Sequence, residues 1–289
     1  MKTEEPVAPL IIDAHTHLFP DRLGAAIRAF FVEFISPHAF HYPHNWREGR
    51  ALLQAAGVSR CWNLPYVKRP HAAQALNRWM AETFADDPFV EPGATLHPGD
   101  DVQNVVHEAL DVLGLRLFKL HCSVGDFRLS DERLEPLWRR LSDGGVPVVV
   151  HLGHSVTGGT EPSELADLEA VAQRWPAARV ILAHCGAPSV DGALALLRRF
   201  PNLHADLTPV VFHLAPVEAE GLRGLTDRIL FGSDVPNVVV KLQETLAAIK
   251  ALGLAPEEEA RVVGGNAARL LPSRTAKAPK SPATDSKGA

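Results

Sequence analysis

The chain has 289 residues, of which 46% are hydrophobic and 22% charged, a composition that suits one large or two small globular domains. The formal net charge of −5 provides no basic surface for phosphate backbones, so nucleic acid is excluded as an expected partner. The three cysteines form no Cys-x-x-Cys pair, which argues against a disulfide framework or zinc knuckle and favours a reducing cytoplasm. The sequence contains no apolar run long enough to cross a membrane, and its first nine residues do not resemble a signal peptide.

The first part of the chain combines one strand with two helical segments. An apolar strand at 11–17 is followed by a helix that Asp21 would cap and that runs to about Ile35. A second helix near 47–56 ends at Gly57. The segment between Phe19 and Trp46 is rich in aromatic residues and histidine, and it is either a lid over a pocket or a packing layer.

From residue 60 onward, apolar strands alternate regularly with amphipathic helices. Further strands are predicted at 60–64, 90–96, 115–120, 146–152, 179–183, 202–207 and 228–231. Helices are predicted at 71–85, 102–113, 131–142, 164–174, 193–200, 237–252 and 257–271. Eight strands separated by helices favour an α/β fold of the (β/α)8 TIM-barrel type, spanning residues 1–271 as a single domain. An open doubly wound sheet is the alternative, but no Gly-x-Gly-x-x-Gly follows the first strand. Residues 272–289 lack apolar periodicity and are predicted to be a disordered tail.

The first strand ends in the sequence Asp13-Ala14-His15-Thr16-His17. Side chains at i and i+2 of a strand face the same side, so His15 and His17 can bind one metal ion, and Asp13 shares their parity. A short motif of this kind often marks only a polar strand end, so the other strands decide its meaning.

Polar residues also stand at the carboxyl ends of later strands, where barrel enzymes carry their sites. Taken singly, each has a structural explanation: a core histidine, a surface lysine, or a cap for the helix near 237. Taken together they predict a metal site. The residues concerned are Lys119, His121, His151, His184 and Asp234.

The ordered motifs resemble the amidohydrolase superfamily, in particular the amidohydrolase-related branch that includes aminocarboxymuconate-semialdehyde decarboxylase-like enzymes. The matching segments lie at 12–17, 118–121, 149–151, 181–186, 230–236 and 265–270, and the Gly-Ser-Asp-x-Pro sequence that begins at Gly232 is the most telling. The resemblance implies a metal-dependent TIM barrel that holds one or two divalent ions, most often zinc, with manganese as an alternative. It assigns the first ion to His15, His17, His151 and Asp234.

The same resemblance suggests roles around that ion. His184 either binds a second ion or moves protons, and Asp234 would take protons from water. Lys119 either becomes carboxylated and bridges two metals, or remains an ammonium that attracts a substrate carboxylate, and the second role is slightly favoured. The expected catalytic residues are therefore Asp234, His184 and Lys119, and Lys119 and His184 are also candidate metal ligands. Loop residues at the same mouth are candidates for substrate binding, namely His121, His154 and Arg128.

The leading functional hypothesis is a metal-dependent hydrolase that cleaves an amide, lactone or ester with metal-activated water. The alternative is a metal-dependent non-oxidative decarboxylase of an unsaturated or aromatic acid, because nearly the same motifs serve both reactions. A third hypothesis is a non-enzymatic scaffold, although a structural zinc site normally fills every position with protein ligands. The expected partner is a small carbonyl or carboxylate compound, and both a monomer and a homo-oligomer are open.

Overall fold

The computed structural model describes residues 9–153, 162–214 and 217–272, which fold into parallel strands alternating with helices. The strands are β1 (Ile12–Thr16), β2 (Arg60–Asn63), β3 (Val90–Pro92), β4 (Ala94–Thr95), β5 (Phe118–His121), β6 (Val148–His151), β7 (Val180–Leu182), β8 (Leu203–Leu207) and β9 (Ile229–Phe231). The longer helices are α1 (Asp21–Phe31), α2 (Trp46–Ala55), α3 (Ala73–Thr83), α6 (Glu135–Gly144), α7 (Pro162–Arg174), α8 (Val190–Arg199) and α11 (Leu242–Ala251). Shorter helices are α4 (Val102–His107), α5 (Cys122–Gly125), α9 (Pro209–Leu214), α10 (Ala219–Leu222), α12 (Pro256–Ala260) and α13 (Asn266–Leu270).

The strands pair in parallel in chain order and close into a barrel. One sheet runs β1-β2-β3 and the other β4-β5-β6-β7-β8-β9, and a parallel bridge between Thr16 and Val235 joins the ends. The strand predicted at 90–96 is divided at Gly93, whose N–H bonds Asn63 O on one side while Ala94 N–H bonds Leu117 O on the other. A β-carbon at Gly93 would lie 3.0 Å from Asn63 O, so glycine lets this strand join both neighbours. The predicted (β/α)8 barrel is confirmed.

Alternation along the strands separates the barrel interior from the helix-facing layer. Leu117, Val149 and Ile181 belong to a buried cluster inside the barrel, whereas Phe118 and Val148 pack outward against the helices. Because successive side chains of a strand point to opposite faces, the interior parity continues from Leu117 through residues 119 and 121. The polar ends of the strands therefore project above an apolar barrel floor.

Several predicted element ends are corrected. Asp21 is the first residue of α1 and not its cap, and the helix ends at Phe31 because the chain then enters turns. The helix predicted from 237 begins only at Leu242, so Asp234 cannot be its cap. The helices predicted at 102–113 and 257–271 each contain a π-helical stretch, at Glu108–Val112 and Arg261–Gly265.

The cysteines, the helix lengths and the C-terminal segment bear on the remaining predictions. All three cysteines are free and buried, as expected without a disulfide framework. Within the described ranges, no helix combines the length and apolar character needed to cross a membrane. The predicted tail beyond Pro272 lies outside the described residues.

Candidate metal centre

A β-bulge in β1 turns both histidines of the first strand toward the barrel interior. The register against β2 shifts between Asp13 and Thr16, so β1 carries one extra residue there. Ile12 belongs to the interior cluster before the bulge, and His15 and His17 meet interior side chains after it. The prediction that Asp13 faces the same side of the strand as His15 and His17 is therefore wrong.

Asp13 has a structural position beside the metal centre. Its Oδ1 accepts hydrogen bonds from the backbone N–H groups of His15 and Ser233, at 3.2 and 2.9 Å. Burial is the main reason that its pKa is raised to about 7. This carboxyl joins the first strand to the loop that follows the last one.

The imidazoles of His15 and His17 both have a determined tautomer. Nδ1 of His17 lies 2.6 Å from Leu64 O, and a carbonyl can only accept, so this nitrogen carries the proton. Nδ1 of His15 lies 2.8 Å from Oδ2 of Asp206 and donates to it when that carboxyl is ionised, and burial raises the pKa of Asp206 to about 7. With this proton on Nδ1, the neutral form of each ring presents a lone pair at Nε2, and the two Nε2 atoms lie 3.2 Å apart.

A carboxylate oxygen completes this group of electron donors. Oδ1 of Asp234 lies 3.2 Å from Nε2 of His17 and 3.7 Å from Nε2 of His15. Two lone pairs and an anionic oxygen at these distances repel each other unless a cation or proton lies between them. His15, His17 and Asp234 therefore form the first of two groups in the described chain that are arranged to hold a metal ion.

The spacing of this triangle suits a divalent transition metal. A point equidistant from the three atoms lies roughly 2.0 Å from each, close to the ~2.0–2.2 Å bonds that zinc makes to nitrogen and oxygen. Two neutral imidazoles and one carboxylate are also the donor set of catalytic zinc sites, which leave a position for water. The residues present fit the metal that the sequence predicts.

The loop after β9 places Asp234 by an unusual backbone conformation. Asp234 has φ 58°, and its N–H donates to His15 O at 2.8 Å. His17 N–H in turn donates to Val235 O at 2.7 Å. Before them, a β-carbon on Gly232 would lie 2.7 Å from Cβ of His15, so only glycine allows the strand end to approach the histidine.

Asp206 and Thr208 also contact the candidate ligands, although the motifs in the sequence did not indicate them. Oδ1 of Asp206 accepts the N–H of His184 at 2.7 Å, and its Oδ2 holds His15. Oγ1 of Thr208 lies 2.5 Å from Nδ1 of His184. The missed signal was the alternation His-Ala-Asp-Leu-Thr at the end of β8, which sets polar residues at 204, 206 and 208 on the interior face. Asp206 also belongs to the second possible ligand group, with His15 and His184.

Lys119 is a buried cation beside the ligands. Its Nζ lies 3.4 Å from Nε2 of His15, and the residue is fully buried. Burial lowers its pKa to about 8, although the charges of Asp206 and Asp234 oppose this shift. Within the described residues, no carboxylate lies close enough to Nζ to form an ion pair with it.

His184 and His151 form a pair on the other side of the site. Nε2 of His184 lies 3.2 Å from Nδ1 of His151. Burial lowers the pKa of His184 to about 4 and that of His151 well below its usual value, so both are neutral at pH 7. His151 therefore contacts His184 and is not part of the triangle formed by His15, His17 and Asp234.

An aromatic wall adjoins the ligands. The Tyr66 ring lies edge-on to His17, Phe19 and His121, with centroid distances of 5.1, 5.0 and 4.9 Å. The His121 ring stacks on His151 at 4.0 Å. Burial, and then the charge of Asp234, raises the pKa of the Tyr66 phenol, which is therefore protonated.

The other two predicted substrate-binding residues are Arg128 and His154. Arg128 is not brought to the ligands, because its exposed guanidinium makes a two-bond ion pair with Asp167, at 2.8 and 2.6 Å. His154 lies outside the described residues. Of the three candidates, the structure places only His121 beside the metal ligands.

The comparisons decide the family. The amidohydrolase family profile matches residues 12–273, nearly the whole of the barrel. The chain belongs to the amidohydrolase family. This agrees with the resemblance recognised in the motifs and identifies an enzyme of a metal-dependent superfamily, rather than a scaffold. A search of curated proteins gave no significant match.

Solved structures of other amidohydrolase-like proteins share the fold. An uncharacterised TIM-barrel protein from Bordetella bronchiseptica is 21% identical, with a TM-score of 0.70 over 90% of this chain and 97% of that one. A 5-carboxyvanillate decarboxylase from Sphingomonas paucimobilis is 15% identical, with a TM-score of 0.66 over 91% and 99%. A 4-oxalomesaconate hydratase from Rhodopseudomonas palustris is 16% identical, with a TM-score of 0.61 over 91% and 95%. At these identities, the similarity establishes the barrel fold.

Proposed function

We propose that this amidohydrolase is a metal-dependent hydrolase that attacks the carbonyl carbon of a small amide, lactone or ester and breaks its bond to the leaving nitrogen or oxygen. The observation that carries the proposal is the convergence of two imidazole Nε2 atoms and one carboxylate oxygen within 3.7 Å of one another. A divalent ion bound there would activate water and polarise the carbonyl. The nitrogen-rich donor set favours zinc over manganese.

Asp234 is the proton acceptor in this proposal. Burial would by itself raise its pKa, but contact with His17 and the proximity of His184 and Lys119 lower it below its usual value. An ionised carboxylate at the ligand triangle can take the proton of the attacking water and return it to the leaving atom. His184 is neutral at pH 7 and can accept, rather than supply, a proton at the start of the reaction.

One ion per chain is proposed, with Lys119 as an uncarboxylated ammonium. The second group of potential ligands, His15, His184 and Asp206, already uses its donors and acceptors in internal hydrogen bonds. A second ion there would have to break the bond between His15 and Asp206. A carboxylated Lys119 bridging two ions is the alternative outcome of a metal analysis.

Non-oxidative decarboxylation is the second candidate, and Lys119 is the observation that favours it. A buried ammonium without a carboxylate partner among the described residues is suited to the carboxylate of a substrate. The 5-carboxyvanillate decarboxylase with the same barrel shows that this fold supports such chemistry. In this reaction Lys119 would hold the acid, and a protein group would protonate the carbon that loses carbon dioxide.

Product analysis separates the two reactions. Zinc-loaded protein would be incubated with a panel of lactones, esters and amides, and with aromatic and unsaturated acids. Hydrolysis predicts acid release from a carbonyl substrate without carbon dioxide, and Asp234→Asn should abolish it. Carbon dioxide release from an acid, with no hydrolysis in the panel, would overturn the hydrolase proposal in favour of decarboxylation.

A further inference from the structure

The rings of Tyr66 and His121 lie next to the candidate metal ligands with their centroids 4.9 Å apart, and each ring carries a hydrogen-bond donor. The Tyr66 hydroxyl is one, and the side chain that carries it is partly buried at the end of β2. In the described part of the chain, this hydroxyl has no hydrogen-bond partner. The ring itself is held on three sides by His17, Phe19 and His121, so the position of the hydroxyl is restricted.

The second donor is Nε2–H of His121. Nδ1 of His121 accepts the N–H of Val124 at 3.4 Å and thereby caps helix α5. Because this nitrogen accepts, the proton of the neutral imidazole resides on Nε2. No described residue accepts a hydrogen bond from this Nε2, although His121 is only 6% exposed. Stacking on His151 at 4.0 Å keeps the ring in place.

We propose that Tyr66 and His121 form a two-donor subsite that binds an oxygen of the substrate beside the metal ligands. Neither donor has a protein acceptor in the described chain, and neither is among its fully buried unpaired atoms, so both are open to a bound molecule. The subsite selects substrates whose reacting carbon carries a second acceptor oxygen, or becomes an oxyanion during reaction. Tyr66 thereby becomes a substrate-contacting residue in addition to the residues at the metal.

This inference rests on the proposed function, because the metal ion belongs to that proposal. Its test measures anion binding and does not need turnover. The probe is methylphosphonate, a tetrahedral anion with several oxygens, and the reference is azide, which can bind a metal but has no oxygen. Dissociation constants of both would be measured by calorimetry on the zinc-loaded wild type and on Tyr66→Phe. The matched control is Tyr42→Phe at the other tyrosine of the chain, whose hydroxyl accepts the N–H of Leu242.

We expect Tyr66→Phe to weaken methylphosphonate binding about 10-fold or more, because the substitution removes one hydrogen bond to the anion. Azide binding should stay unchanged. His121→Asn, which can still cap α5, should act in the same direction. Tyr42→Phe should change neither constant. Equal binding of methylphosphonate by wild type and Tyr66→Phe would overturn the inference, as would an equal loss for both anions or a wild type that binds only azide.

The results also separate this inference from the proposed reaction. Selective loss of methylphosphonate binding without any ester or lactone turnover would support the subsite and contradict hydrolysis. Hydrolysis that proceeds equally well in Tyr66→Phe, with unchanged methylphosphonate binding, would support the proposed function and contradict the subsite. Metal content and unfolding temperature, measured for each variant, show whether the compared proteins are loaded and folded.

Discussion

Asp206 accepts a hydrogen bond from Nδ1–H of His15 at 2.8 Å, although the two residues are 191 positions apart in the chain. The contact is fully buried on both sides. It holds the imidazole so that Nε2 presents its lone pair to Asp234 and to Nε2 of His17. The Asp206 carboxylate therefore sets the tautomer and the orientation of His15, a candidate metal ligand, from outside the ligand triangle.

Asp206→Asn should weaken zinc binding by about 10–100-fold, because the amide no longer fixes the tautomer and basicity of His15. Zinc affinity can be measured by competition with a chromogenic chelator. Asp111→Asn is a matched control, since Asp111 makes the same 2.8 Å contact with Nδ1 of His107 on the surface. Equal affinities for wild type and Asp206→Asn would contradict the role of Asp206.

Asp234→Asn should lower turnover by about 10²-fold or more while the protein remains folded, because the amide cannot accept a proton. Asparagine tolerates the left-handed backbone at this position, where φ is 58°, so the loss would reflect chemistry rather than strain. Turnover, metal content and thermal unfolding would be compared. Wild-type turnover in Asp234→Asn would remove it as the proton acceptor.

Gly232→Ala should both weaken metal binding and destabilise the fold, by about 1–3 kcal/mol, because the new methyl would lie 2.7 Å from Cβ of His15. Denaturant unfolding and zinc titration provide the two readouts. Gly144→Ala in α6 is the control, because its β-carbon would lie 3.4 Å from Cγ2 of Val146, an ordinary van der Waals contact. If both variants match the wild type, close approach at Gly232 is not required.

His204 should make the fold sensitive to acid. Burial lowers its pKa to about 4, and its Nδ1 has no hydrogen-bond partner in the described structure. The unfolded chain therefore takes up this proton below pH ~6.5 while the folded chain resists it until about pH 4, so stability falls over that window as pH decreases. Between pH 7 and 5 the loss assigned to His204 is about 2 kcal/mol.

The measurement for this effect is urea unfolding of wild type and His204→Asn at pH 7 and pH 5. The variant should lose less stability than the wild type between the two values, because asparagine does not titrate. Other buried histidines affect both proteins alike and cancel in the comparison. The same loss in both proteins would show that His204 is not a source of the acid sensitivity.

The positions of the candidate metal ligands could be predicted from the sequence because local rules govern them. Barrel strands expose their carboxyl ends at one mouth, so His15, His17, Lys119, His184 and Asp234 were expected together. The same rule located the eight strand positions. It did not reveal the bulge in β1, because whether a strand gains an extra residue depends on pairing with β2.

Partners set by tertiary contact could not be predicted in this way. Asp206 reaches His15 from a distant strand, and the Tyr66 ring contacts His17 only after the barrel closes. Arg128 shows the same limit, since its place after the fourth barrel strand suggested substrate binding, whereas its exposed guanidinium forms an ion pair with Asp167. Local pattern predicts which end of a strand a residue occupies, whereas its hydrogen-bond partners depend on the assembled fold.

The most direct test of the account is a zinc titration of chelator-stripped wild type, His17→Ala and His107→Ala. His17 is a ligand in the triangle with His15 and Asp234, whereas His107 is an exposed histidine on α4. We expect about one tightly bound zinc for the wild type and for His107→Ala, and its loss in His17→Ala. No zinc uptake by the folded wild type, or equal uptake by His17→Ala, would contradict a metal centre at the end of the first strand.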